Sequence, residues 1–202
     1  MSVGKKSLLL ILLVLIVDQV SKIYIKLNFA LGESVEVFSW FQIYFIENNG
    51  MAFGMEFIGK LFLTLFRIVA VGFLIYYISV LIKKNVRTGY ILTVSLLLAG
   101  AAGNIFDSVL YGVLFGESTP YQIASFLPEG GGYAPLFHGK VVDMFFFPII
   151  QNGAGETIFF NYIFNVADAA ITVSIFVIII FFWKEFNESF GSKKEKNVQT
   201  EE

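Results

Sequence analysis

The sequence has no cysteine and a single histidine, His138. The first absence excludes disulfides, thiolate metal sites and a cysteine nucleophile together. The second leaves no histidine cluster for zinc. Charge is also scarce, at 15% of 202 residues, where an ordinary soluble domain carries about 25%. The net charge of −2 argues against nucleic acid as a partner. What remains is apolar: 56% hydrophobic residues, 17% aromatics and a mean hydropathy of +0.74. This is the composition of an integral membrane protein, and its available chemistry is that of carboxylates and amides.

Four stretches are long and apolar enough to cross a bilayer, which takes roughly 20 residues: about 7–26, 61–82, 88–109 and 162–183. The expected fold is an all-α integral membrane bundle of four transmembrane helices with two external loops, 27–60 and 110–161. It forms a single domain over 1–190, and the polar tail 191–202 reads as disordered. Lys5-Lys6 before an apolar run imitates a secretory signal, but Asp18-Gln19-Val20-Ser21-Lys22 follows in place of a small-residue cleavage site, so a retained first span is expected. Lys5, Lys6, Lys83, Lys84, Arg87, Lys184, Lys193, Lys194 and Lys196 fall on one side, and mainly Lys60 and Lys140 on the other. By the positive-inside rule both termini are cytoplasmic and both long loops external. In the first loop, Gln42–Glu47 alternates in part and is rich in β-branched and aromatic residues, which predicts short β-strand structure before a turn at Asn48-Asn49-Gly50. The second loop is too apolar for a free linker and is expected on the membrane surface or against the spans. Ala99-Gly100-Ala101-Ala102-Gly103 reads as a close helix–helix contact.

At 1.5 Å rise per residue, this orientation brings the intramembrane polar residues to one level. Asp18 and Lys22 lie in the outer half of the first span, Asn104 and Asp107 near the outer end of the third, and Asn165 and Asp168 at the outer start of the fourth. Asp143 comes from the loop between the last two. Asp18 and Lys22, spaced i, i+4, suit a buried ion pair. Asp107 suits a cap or hydrogen bond at the end of its helix, and Asn104 and Asn165 suit backbone satisfaction. Asp143 and Asp168 lack dedicated cations in the sequence. Facing one another they would share a proton, as in aspartic proteases, where one carboxylate activates water and the other polarises the carbonyl. The competing reading is a small proton-coupled transporter or channel using the same carboxylates.

Five blocks in order resemble the lipoprotein signal peptidase (signal peptidase II) family: Asp18-Gln19-Val20-Ser21-Lys22, Asn48-Asn49-Gly50-Met51-Ala52-Phe53-Gly54, Ala99-Gly100-Ala101-Ala102-Gly103-Asn104-Ile105-Phe106-Asp107, Val141-Val142-Asp143 and Phe164-Asn165-Val166-Ala167-Asp168. The resemblance implies an aspartic endopeptidase of the bacterial inner membrane. Such an enzyme acts on lipid-modified prolipoproteins among membrane lipid, cuts just before the diacylglyceryl-modified cysteine near the external face, and needs neither metal nor organic cofactor. It implies Asp143 and Asp168 as the catalytic pair, with Asp18, Lys22, Asn48, Gly50, Asn104, Asp107 and Asn165 lining or supporting the site. The chain departs from the family pattern at Ser108, where an arginine is usual; Lys22, Lys140 and Arg67 are the cations available to compensate. Met51 and Ala99 replace small residues, and an insertion at about 111–137 enlarges the second loop as a lid or partner surface.

Overall fold

The computed structural model of the chain describes residues 1–49, 59–153, 157–159 and 161–190. Gly50, the rest of the loop block through Gly54, and the tail 191–202 lie outside the described residues. The elements are α1 (Val3–Asn28), β1 (Ser34–Phe38), β2 (Phe41–Asn48), α2 (Lys60–Lys83), α3 (Thr88–Phe106), α4 (Gly112–Leu114), β3 (Val141–Phe146), β4 (Ile150–Gln151), β5 (Thr157–Phe159), β6 (Ile163–Phe164), α5 (Val166–Phe181) and α6 (Trp183–Phe190).

Three helices, Val3–Asn28, Lys60–Lys83 and Thr88–Leu114, are each long and apolar enough to span a membrane. α5 and α6 make a fourth only as a pair bent by 91°. The fourth helix therefore starts at Val166, later than the expected 162, because Ile163–Phe164 is taken up by β6. Apolar residues face outward: Leu8, Leu12, Ile16 and Val20 of α1, Phe62, Phe66, Val69 and Phe73 of α2, and Phe176 and Ile180 of α5 are all exposed. The interior instead holds Asp18, Lys22, Asp107, Asp143 and Asn165. That inversion is what a hydrocarbon solvent selects, since only buried or wet positions tolerate charge there.

α3 is the central helix, flanked by α1, α2 and α5. Gly100 lets α5 lie close, because a Cβ there would stand 2.4 Å from the Ala167 carbonyl oxygen. At the end of the bundle where α1 runs out toward β1, a four-stranded antiparallel sheet has the order β1-β2-β3-β6, with β3 against α1. The strand predicted at 42–47 is β2, and its register sets Ile46 opposite Asp143.

The helix at Asp107 does not end. It widens into a π-helical segment, Asp107–Tyr111, and continues through α4. Widening turns carbonyls away from their usual partners. Here the Ser108 and Val109 carbonyls accept from the N–H groups of Gly139 (2.9 Å) and Phe137 (3.1 Å). Gly139 passes so close that a Cβ would meet the Asp107 carbonyl oxygen at 2.1 Å. The 111–137 insertion is likewise folded against the body: Leu31 N–H donates to the Thr119 carbonyl (3.1 Å), and Lys26 Nζ to Ser118 Oγ (2.9 Å), while Tyr133 N–H donates within the insertion to the Phe115 carbonyl (3.0 Å).

Candidate active site

Asp168 occupies the third position of α5, and a capping box holds it there. The Asn165 side-chain oxygen accepts from the Asp168 N–H (2.8 Å), while the Asp168 carboxylate accepts from the Asn165 N–H (3.4 Å). Such reciprocal bonds satisfy two orphan donors of a helix start. They engage Oδ2 and leave Oδ1 to accept from Asn104 Nδ2 at 2.7 Å. Asp143 reaches the same place from β3. Its Oδ1 accepts from Asn165 Nδ2 at 2.6 Å, and Asn48 adds a hydrogen bond from the end of β2. Asn165 Nδ2 also faces Asn104 Oδ1 at 3.1 Å. Two asparagines thus bridge two aspartates that come from a strand and a helix.

Asp143 is almost fully buried. Burial first, then the negative charge of Asp168, pushes its carboxyl up to about 7, against the smaller opposing pull of Lys22, Asn165 and Asn48. Near neutrality it is an acid with a proton to give, beside a half-buried carboxylate.

Below the pair lies a second layer. Lys22 Nζ, fully buried, meets Asp18 at 2.9 Å, Asp107 at 2.8 Å and Asn104 Oδ1 at 2.9 Å. The i, i+4 pair expected from spacing is thus formed, with Asp107 as a third member. Asp107 is not a helix cap, because the helix runs on past it. Asp18 Oδ1 accepts from the Ala167 N–H (2.9 Å), another free donor of the α5 start. The layer reaches the pair through Asn104, which accepts from Lys22 and donates to Asp168.

Of the cations available to stand in for an arginine at 108, Lys22 pairs with Asp107, while Lys140 goes elsewhere, to Glu47 Oε2 at 3.2 Å. Arg67, half-buried on α2, stands near enough to Asp168 and Asp143 for its charge to bear on theirs, a proximity the sequence does not announce. Ser108 turns back to donate to the Asn104 carbonyl at 2.9 Å.

Sequence reasoning passed over two sets of residues. Gln19 Nε2 donates to Asp18 Oδ2 (3.0 Å) and Asp107 Oδ1 (2.9 Å), and its Oε1 accepts from the Tyr111 hydroxyl (3.0 Å). Its place inside the first block was the available signal. Lys26, fully buried, pairs with Glu47 and donates to Ser118 Oγ at 2.9 Å, with the Tyr133 ring 4.9 Å away. No local spacing announces that cluster, because its members lie far apart in the chain.

A family model described as signal peptidase (SPase) II matches residues 10–184. A lipoprotein signal peptidase of Porphyromonas gingivalis is 45% identical over 201 residues, covering 95% of this chain and 88% of that protein. A lipoprotein signal peptidase of Staphylococcus aureus is 31% identical over 198 residues, covering 96% and 94%. Among solved structures, one described as a bacterial membrane enzyme superposes with a TM-score of 0.62 at 28% identity, covering 96% of this chain and 95% of that one.

Proposed function

The chain belongs to the signal peptidase II family, and we propose that it is an aspartic endopeptidase that removes the signal peptides of diacylglyceryl-modified prolipoproteins, cutting just before the lipidated cysteine. The observation that carries this reading is the pairing of a raised carboxyl on β3 with a second carboxylate on the first turn of α5 through two shared asparagines. Water between the pair loses a proton to Asp168 as it attacks the scissile carbonyl, while Asp143 donates a hydrogen bond and then its proton to the carbonyl oxygen. The intermediate collapses as the Asp168 carboxylic acid just formed protonates the leaving nitrogen and Asp143 takes a proton back from the gem-diol, which releases the amine and the new carboxyl group and restores the pair. Asn104, Asn165 and Asn48 hold the two carboxyls; Lys22, Asp18 and Asp107 hold Asn104 and the α5 start. We place Gly50 with them from the family pattern.

The protein lies in the bacterial inner membrane with both termini cytoplasmic, α5 with its bent continuation serving as the fourth span, and the sheet end external. The scissile bond of a membrane-anchored precursor then lies at the level of the pair, reached sideways between helices. The competing transporter or channel reading gains no support from the family match.

The test is incubation of purified protein in detergent with a diacylglyceryl-modified precursor. A shorter product released at the lipidated cysteine is expected. Asp143→Asn and Asp168→Asn should each abolish cleavage with membrane insertion intact, and full activity in either would sink the dyad.

A further inference from the structure

α2 carries three cations, Lys60, Arg67 and Lys83, and no acid. The lysines stand at its ends. Arg67 lies two turns in from Lys60, roughly 10 Å along the axis. A cation at that depth is costly unless it meets a counter-charge, and such residues almost always turn inward.

The direction is fixed by its neighbours. Thr64, Arg67 and Val71 fall at i, i+3 and i+7, on one face of the helix. Thr64 is buried and donates to the Phe137 carbonyl at 3.2 Å, in the segment leading to β3. Val71 packs on the core formed by Ile78, Val94 and Leu98. Arg67, half-buried between them, points into the protein.

The acids it can meet there are few. Asp18 and Asp107 are held by Lys22 at 2.9 and 2.8 Å, and Glu47 is held by Lys26 and Lys140. Among the described residues, the acids of the polar interior left without a lysine are Asp143 and Asp168, and these are the two whose charge Arg67 feels. We propose that Arg67 is a positioning residue, a fixed counter-charge on α2 that holds the Asp143/Asp168 pair with one carboxylate ionised. Its significance for catalysis rests on the pair being the dyad; its placement does not.

The other groups facing the pair are Lys22 from α1, Asn48 from β2, Asn104 from α3 and Asn165 before α5. Lys22 is already balanced by two aspartates. Lys60, further out on α2, faces Lys140, Glu47 and Arg67. Arg67 therefore adds positive charge at the pair from α2. Removing it makes ionisation harder, so both limbs of any pH dependence governed by the pair move to higher pH.

The experiment is an infrared titration of the protonated carboxyl band in detergent, assigned by its disappearance in Asp143→Asn. Arg67→Gln and Arg67→Met, two neutral replacements of different shape, should raise the midpoint by roughly one pH unit, and Arg67→Lys should stay close to the parent. An unchanged midpoint in a folded neutral variant overturns the proposal, and so does a shift of equal size in Arg67→Lys. Cleavage of the lipidated precursor is followed in parallel. An alkaline displacement of its pH profile by the same amount in Arg67→Gln supports both proposals. A shifted titration with an unshifted profile supports the counter-charge but tells against the dyad.

Discussion

At Asp143 a single carboxyl connects stability to chemistry. Its proton is held up to about 7, first by burial and then by Asp168. A folded-state pKa above that of the free side chain means that ionisation destabilises the fold. The penalty is absent below about pH 4, grows as pH rises, and is complete above about 7, where three units amount to about 4 kcal/mol. Asp143→Asn keeps the shape and an oxygen to accept from Asn165 without the ionisation. We expect its melting temperature to exceed the parent's at pH 8 and the difference to close toward pH 4; a gap independent of pH would refute the raised carboxyl. The same proton sets a limit on activity. Below about 7 Asp143 can donate to the carbonyl oxygen, and above it the pair carries two negative charges. The kcat/KM profile for a lipidated precursor should therefore fall on its alkaline side with an apparent pKa near 7, a property of the pair rather than of one residue. A flat profile through pH 9 would contradict this.

Among the elements, the short-range relations were legible and the long-range ones were not. The Asp18–Lys22 pair follows from i, i+4 spacing and the β2 strand from partial alternation with β-branched and aromatic residues; Asp143 and Asp168 stand out by the expense of their charges, while only the family resemblance brings them together. The continuation of α3 past Asp107 depends on Gly139 and Phe137 donating to its freed carbonyls, a contact no local pattern announces. The Lys26–Glu47 pair likewise joins the end of α1 to the end of β2 and, through Ser118, to the insertion. Expected as a lid or partner surface, the insertion lends Ser118 and Tyr133 to a polar clamp whose Glu47 immediately precedes Asn48. Glu47→Gln leaves a buried ammonium without its counter-charge, a change that typically costs about 3–5 kcal/mol. The variant should melt well below the parent, and Glu47→Gln combined with Lys26→Met should recover much of the loss. No recovery in the double variant would mean that the clamp acts by shape and not by charge.

For the whole molecule, the polar and basic residues sort by end. Lys5 and Lys6 at the start of α1, Lys83 and Lys84 at the end of α2, Arg87 before α3 and Lys184 on α6 share the end opposite the sheet. There Arg87 lies 5.0 Å from the Phe182 ring and 3.4 Å from Glu185, and the Tyr77 hydroxyl meets that of Tyr90 at 2.7 Å. All six basic residues are exposed, whereas at the sheet end the lysines are buried or half-buried: Lys26 and Lys140 are held by Glu47, Lys22 by Asp18 and Asp107, and Lys60 stands half-buried at the start of α2. Exposed basic charge is therefore concentrated at one end, which supports the proposed orientation, with both termini inside and the Asp143/Asp168 pair outside. The lack of cysteine makes this directly testable. Tyr121, 98% exposed in the insertion, and Lys84, exposed at the turn between α2 and α3, lie at opposite ends. A membrane-impermeant maleimide should label Tyr121→Cys in spheroplasts, and Lys84→Cys only after the membrane is opened. The reverse pattern would put the carboxylate pair on the cytoplasmic side, out of reach of a precursor cut at the external surface, and would defeat the proposed orientation and the proposed function together.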